Sequence, residues 1–556
     1  MKALNKFLTL AAVAIAATSC SLDLGPIDYY GSQNYWQSEA NVISYVDGLH
    51  KHLRDCYFDH VYVMGEVRSG IYVDGTAYDG MTTSYGTERL QLLSQTSPGF
   101  SNFDNIYGRI TNCNLLIARA PEVKMDENKK NYCLAIAHGL RALYYFDIYR
   151  VFGSGPLRLD VAVIDGELDP VVLQKPRAMP SEIMAQIKSD LSESIRLFGN
   201  NKSFNILGRG NKCYWSKAAT LCLAAEVYMW NAKVACGDQQ CVPADMDQAI
   251  TYLKEVEQEY GLVMLSDFKK VFAQNNKAND EVIFAIRFVE GETTNALGNW
   301  TYSTVTGQAQ QSGYRADGTP WNDPFDIKNG MNQSMAYSLS LFEQFDPSDQ
   351  RRDATLYGQY RWRYPNDKDP EFYLYGIHVW KNIGYTNNQN AHVYNGDVIL
   401  YRLPWVYLSL AEAYNFKGES GLCADYINKV RRRAYGIDQS VTSDPRLYTA
   451  ASFKENEYAV LEEKDKEFIQ EGQRWWDLRR MTEVKGGHYT EHFVFKPNRL
   501  IDNNGLNEPC LNASNAYKVL WPLDVNMLNN DRSLLQNKGY EVPGSFEAVT
   551  WDPNGN

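Results

Sequence analysis

The sequence predicts a mainly α-helical protein, a TPR-like α-solenoid with long irregular aromatic-rich loop insertions. Three observations predict it. Apolar residues recur at helical spacing in segment after segment. The segments come in pairs of roughly the length of a tetratricopeptide unit, about 34 residues. Between them, residues 68–100 and 288–395 lack helical periodicity and are rich in Gly, Asn, Thr, Tyr and Trp.

In chain order, residues 40–53 form the first amphipathic helix. Residues 103–120 place Ile106, Ile110, Cys113, Ile117 and Ala120 near one face. Residues 131–150 follow, with Gly153, Gly155 and Pro156 as the stop. Residues 180–198 and 212–233 are the next two helices; Ala218, Ala219, Ala224 and Ala225 are small enough to let helices approach closely. Residues 245–260 pair with the latter, and 401–416 with 421–434 form the last clear pair. The TPR-like helices thus lie within about 40–260 and 401–480.

Residues 467–480, EFIQEGQRWWDLRR, are the densest stretch of charge and aromatics. Read as a helix, they put Glu467, Glu471, Arg474 and Leu478 on one face. A half-buried charge needs a partner, so Glu471 is expected to pair with Arg474. Gly472 inside a helix costs about 1 kcal/mol relative to alanine, which predicts a second backbone passing close by. A paired polar interior is preferred to a catalytic carboxylate pair, because catalytic acids are normally found in clefts.

The chain has 556 residues and a net charge of −12. That length buries a large core. The charge argues against a nucleic-acid binder, which needs a basic face, and mildly disfavours strongly anionic polymers as ligands, although a local basic patch would override that. Lys2 and Lys6 precede an apolar run at 7–17, too short to span a bilayer and suited to an export signal. Small residues Ala17, Thr18 and Ser19 then lead to Cys20. Of the ten cysteines, the nine beyond Cys20 form no CxxC framework. Cys113, Cys133 and Cys222 read as small core residues; Cys236 and Cys241 are the one close pair, and an oxidising compartment leaves a disulfide between them open.

Several blocks carry a resemblance. EGQRWWDLRR is similar to the E-G-x-R-W-x-D-L-R-R hallmark of SusD/RagB family outer-membrane glycan-binding lipoproteins. Residues 103–120 resemble that family's Y-x-x-I-x-x-C-N helix, and LRALYYFDIYRVFGSGP its R-A-x-x-Y-F-D-L block. Asp349-Gln350-Arg351-Arg352 matches a D-x-R tract, read as a structural turn. The tail at 520–540 resembles the closing motif, with Pro522, Asn529, Leu535, Gln536, Asn537, Gly539 and Tyr540 in place. Cys20 sits where a bacterial lipobox places its acylated cysteine, although Ala17 stands where leucine is usual.

The resemblance implies a lipoprotein signal peptide at 1–19, lipidation at Cys20, and one SusD/RagB-like domain over 20–556 with four TPR-like helix pairs. It implies a non-catalytic protein, held at the outer membrane by its lipid and facing the cell exterior. Such a protein captures an oligosaccharide and passes it to a SusC-like TonB-dependent transporter. The same scaffold binding peptides or another nutrient is the alternative, and a glycan-acting hydrolase the distant one.

The insertions carry the candidate ligand surface. They hold Tyr72, Tyr78, Tyr85, Trp300, Tyr302, Tyr314, Trp321, Tyr360, Trp362 and Trp380, among others. Disordered segments are poor in aromatics, so these loops are expected to be ordered. A pyranose presents a face of C–H groups that stacks on a flat ring, while its hydroxyl edge needs polar partners. The candidates are an early cluster, Arg68, Tyr78 and Tyr85, and a later one, Trp300, Tyr302 and Trp321.

Enzyme motifs are thin. His488, Glu491 and His492 spell H-x-x-E-H, but glycines precede and a strand-like run follows, so zinc is not expected. There is no G-x-S-x-G elbow and no P-loop, and Asp74 and Asp79 lack EF-hand spacing. No cofactor is expected.

Overall fold

The structure is a computed structural model that describes residues 35–74, 85–100, 103–161, 174–297, 313–327, 335–363, 371–481, 511 and 513–540. It is mainly helical. Helix α1, Glu39–Asp55, starts where the Ser38 hydroxyl accepts from the Asn41 amide at 3.3 Å, and buries Val42, Val46, Leu49 and Leu53 as one stripe. α2 is Phe103–Arg119, and α3 is Glu127–Phe152, capped by Asp126 and ended by Gly153 at φ +80°. α4 is Pro180–Phe198, α5 Lys217–Lys233 and α6 Asp245–Glu259. α5 begins five residues later than the sequence suggests. Lys212 is in the left-handed region, and Ser216 supplies the cap. Ala218, Ala219, Ala224 and Ala225 are fully buried.

Consecutive helices pack on one another: α2 on α3, α3 on α4, α4 on α5, α5 on α6. α7, Leu403–Phe416, packs on α6 and on α8, Ser420–Tyr435, while α9, Phe453–Glu467, packs on both α7 and α8. Short strands join the insertions to this frame. β1, Tyr72–Asp74, pairs with β3, Met335–Tyr337; β2, Val282–Ile286, pairs with β8, Val398–Arg402. β4, Leu356–Arg363, and β5, Glu371–Val379, form an antiparallel pair, as do β6, Tyr385–Thr386, and β7, His392–Val393.

Residues 467–480 are not one helix. α9 stops at Glu467, and a last short helix, α10, runs Arg474–Arg480. Between them Gln470 and Gly472 take φ of +58° and +69°. The close approach expected at Gly472 is present. A Cβ there would lie 2.1 Å from the Val61 carbonyl oxygen, in the π-helical turn Phe58–Val63. A Cβ on Gly65 would meet the Gly472 oxygen at 2.0 Å. The expected Glu471–Arg474 pair is absent because the turn points them apart. Glu471 meets Arg402 and Lys381, and Arg474 meets Asp465. The Asp349–Arg352 tract is likewise a helix start: Asp349 caps Gln350–Thr355, and Arg351 is fully buried.

Arg402 lies between β8 and α7 and is shielded from water. It reaches Glu281 at 3.0 Å, Glu471 at 2.8 Å and the Glu467 backbone carbonyl at 2.7 Å, and also pairs with the Glu467 carboxylate. Arg351 meets Glu467 at 3.0 Å, Glu463 at 2.7 Å and Asp349 at 2.7 Å, and Arg433 closes on Glu467. A second cluster places Lys233, Lys464 and Arg480 around Glu412 at 2.8–3.1 Å. The tail 520–540 closes the end of α3. Trp521 N–H donates to the Val151 carbonyl at 2.8 Å, and Asn537 Nδ2 donates to Phe152 O and Trp521 O. Cys236 and Cys241 are free thiols, the first buried and the second exposed.

Burial alone would raise the Glu467 carboxyl, but Arg433, Arg402 and Arg351 outweigh it and hold the group well below the usual range. Glu463 and Glu412 are lowered in the same way, against burial, by Arg351 and Arg431 and by Arg480, Lys233 and Lys464. Glu66 goes the other way: burial pushes it up to about 7, while Tyr337 and the Gln470 amide only partly offset this.

Two outcomes are expected. Glu467→Ala leaves three buried guanidiniums short of a partner and should cost about 3–5 kcal/mol in denaturant unfolding. The lowered acids stabilise the fold above the ordinary carboxylate pKa of 4.5 and lose that contribution as pH falls through their depressed values. Glu66 contributes fully below 4.5 and loses its contribution as pH rises through about 7. Melting temperature should therefore collapse at acid pH, and Glu66→Gln should remove a decline between 4.5 and about 7. An unchanged slope in that variant refutes the assignment to Glu66.

Candidate functional site

β4 reads L-Y-G-Q-Y-R-W-R and β5 reads E-F-Y-L-Y-G-I-H-V, both rich in the aromatic residues that favour strands. Side chains alternate between faces, so the register decides which rings meet. Trp362 lies opposite Phe372, and Tyr360 opposite Leu374. Tyr360 and Trp362, two residues apart, share one face, and a register shift between Gln359 and Tyr360 sets which β5 residues lie opposite them. There Tyr360 stacks on Phe372 with centroids 5.2 Å apart and planes at 16°, and Trp362 leans on Phe372 at 4.8 Å. Tyr314 extends the cluster from a neighbouring segment. It exchanges backbone hydrogen bonds with Tyr360 at 2.8 and 2.9 Å, and its ring meets Phe372 at 6.2 Å. Trp362 is 40 % exposed, whereas most of the described tryptophans are buried; Tyr314, Tyr360 and Phe372 are half-buried. The opposite face has its own set: the Arg361 guanidinium lies 3.5 Å over the Tyr375 ring, beside Tyr373.

This hairpin is held at both roots by the buried charges. Arg351 lies five residues before β4 and Lys381 two after β5, and they end on Glu467 and Glu471. Beneath the aromatic face, Trp321 packs against Tyr357 at 5.3 Å and His378 at 4.7 Å. Burial pushes the His378 imidazole down to about 3, so it is neutral and donates from Nε2 to Gln359 Oε1 at 2.9 Å.

The structure corrects two candidates. Trp321 is fully buried, because Tyr357 and His378 of the strand pair and Ile327 and Ile383 pack around it. Arg68 is also fully buried. It donates to Gln91 Oε1 at 2.9 Å and lies over Trp475 at 4.6 Å and Trp521 at 5.1 Å, so it ties the first insertion to the tail. Neither presents a surface to a ligand. Tyr85 is half-buried between the two largest apolar clusters, at φ +54°. Trp321 belongs to a different apolar cluster from Tyr85 and from Trp475 and Trp521, the rings beneath Arg68, so these described members of the early and late sets are not brought together. Cys20, Tyr78, Trp300 and Tyr302 lie outside the described residues, as do Asp79 and the H-x-x-E-H stretch at 488–492. Among the described residues no three His, Cys, Asp or Glu side chains are grouped to hold a metal. The period-two run of rings in β4 and β5 was the signal for Trp362 and Phe372.

The chain belongs to the SusD family. The model of that family matches residues 268–540. A SusD superfamily protein of known structure from Bacteroides fragilis is 47% identical, with a TM-score of 0.82, over 91% of this chain and 100% of that one. SusD-like protein P38 from Formosa agariphila is 22% identical over 550 residues, 96% of this chain and 98% of the relative. Surface glycan-binding protein A from Bacteroides fluxus shares the fold at 19% identity and a TM-score of 0.66, over 91% of this chain and 100% of that one.

If Arg68 and Trp321 hold structure, Arg68→Ala and Trp321→Ala should each lower the melting temperature. The Trp321 loss should be about 3–5 kcal/mol. A variant with an unchanged melting temperature would return its residue to the candidate surface.

Proposed function

We propose that this protein is a lipid-anchored, non-enzymatic glycan-binding protein of the outer membrane. It captures oligosaccharides at the cell exterior and delivers them to a SusC-like TonB-dependent transporter. The observation that carries the reading is the partly exposed aromatic face of Tyr314, Tyr360, Trp362 and Phe372, in a chain of the SusD family. Rings fixed by their neighbours lose little conformational entropy on binding and suit the C–H face of a sugar. Arg361 and Tyr373, on the other side of the hairpin, are polar groups at the same edge.

The N-terminal run, small residues and Cys20 support the anchor, and no described helix is long and apolar enough to cross a membrane. The succession of packed helices supports a TPR-like frame of four pairs within a single domain, 20–556. Tyr78, Tyr85, Trp300 and Tyr302 remain part of the proposed surface. No cofactor enters this reading.

The test is a glycan array on the form beginning after Cys20, followed by calorimetry on each hit. Trp362→Ala and Phe372→Ala should each weaken binding at least about tenfold, or 1.4 kcal/mol, with little change in melting temperature. Unchanged affinity in both overturns this face as the platform. Silence across the array overturns the isolated protein as a glycan receptor and turns the search to peptides.

A further inference from the structure

A cleft of about 580 Å³ opens at the C-terminal end of α8, within the size range of small-molecule sites. None of the rings of the hairpin face lines it. Its apolar wall is Leu262, Val263, Met264 and Ile437, with Tyr407 on α7 beside them. Val263 is 56 % exposed. Its charged wall is the last turns of α8: Lys429, Arg432 and Arg433.

The three cations differ in what they have left to offer. Arg433 is buried and turned inward to Glu467. Lys429 meets Glu257 at 2.6 Å and lies over the Tyr407 and Tyr426 rings at 4.6 and 4.4 Å, but stays 36% exposed. Arg432 has no carboxylate partner among the described residues. Its Nη2 donates to the Val441 carbonyl at 3.2 Å, and its Nε is buried with no hydrogen-bond partner. The one acid in the lining, Asp438, is occupied by its own turn, accepting from Ser440 N and Oγ at 2.8 and 2.5 Å. In a chain of net charge −12, the fold thus leaves a guanidinium without a direct carboxylate contact beside an apolar wall, with Asp438 the one acid of the same lining.

We propose that this cleft binds a carboxylate carried on an apolar body. The carboxylate pairs with Arg432, assisted by Lys429, and the body covers Leu262, Val263, Met264 and Ile437. A guanidinium takes a carboxylate through two parallel hydrogen bonds, here from Nη1, which no described group takes up, and the second Nη2 hydrogen; the buried Nε stays out of reach of the ligand. A free small acid and the C-terminal residue of a peptide both offer this chemistry. A purely structural role for Arg432, complementing the C-terminal dipole of α8, predicts no ligand at all.

Calorimetry on the purified chain distinguishes these cases. The probes are N-acetyl-leucine, its neutral amide, and the peptide Ala-Ala-Ala-Leu with a free C-terminus. The acid should bind at least about tenfold more tightly than the amide. Arg432→Gln should bring the acid to the affinity of the amide. Val263→Asp, an exposed change that places a negative charge at the apolar rim, should weaken the acid similarly without touching the core. A tighter peptide assigns the peptide end as the source; equal or weaker binding of the peptide assigns the free acid. Equal affinity of acid and amide, no heat from either acid, or full affinity in both variants overturns the proposal. The outcome is independent of the glycan array, since the two surfaces share no residue.

Discussion

The guanidinium of Arg402, closed off from water with Glu281, Glu467 and Glu471 around it, is the interaction on which the rest of the structure depends. A buried ion pair is often no more stabilising than an apolar substitute, because desolvation offsets the attraction. Its consequence here is geometric. Arg402 sits where β8 gives way to α7, Glu467 ends α9, and Glu471 lies in the turn before α10. Each of those chain ends is fixed by the same set of hydrogen bonds. Removing any one partner would strand a charge in a medium that cannot solvate it.

The same network positions the aromatic hairpin. Arg351 and Lys381 lie just outside the two ends of β4 and β5 and reach into it. The hairpin therefore projects from a rigid root, although the segments around it contain little regular structure. Rings along its outer face are ordered by contact with one another, and Trp321 and His378 fill the space beneath. A platform built this way needs little reorganisation to meet a flat ligand. The cleft at the end of α8 is built on the other side of the same charges: Arg433 turns inward to Glu467, and Arg432, its neighbour, turns outward.

The helical part was legible in the sequence because a 3.6-residue period is a local property. Pro180–Phe198 matches the reading, and α1, α2 and α8 differ by a residue or so at each end. The prediction of a close backbone approach at Gly472 also survives, since glycine marks a place where a Cβ cannot fit. The strands were harder. β4 and β5 lie in a stretch without helical period, where rings read as loop aromatics. A bulge in β5, where Tyr375 is skipped between Gly376 and Leu374, further breaks the simple alternation.

By itself, the sequence determined the helix phases and the family motifs from EGQRWWDLRR to the closing N-K-G-Y. Only the tertiary structure decided which aromatic and charged side chains remain at the surface. Arg68 and Trp321 look like ligand contacts in a linear reading and are buried; Trp362 looks no different from its neighbours and is exposed. Glu471 and Arg474 look like mutual partners, yet each finds another. The physical reason is common to all of these. Burial and pairing depend on what distant segments lie over a residue, such as the tail over Arg68 or Tyr357, His378 and Ile383 over Trp321, and the local sequence around either residue does not record it.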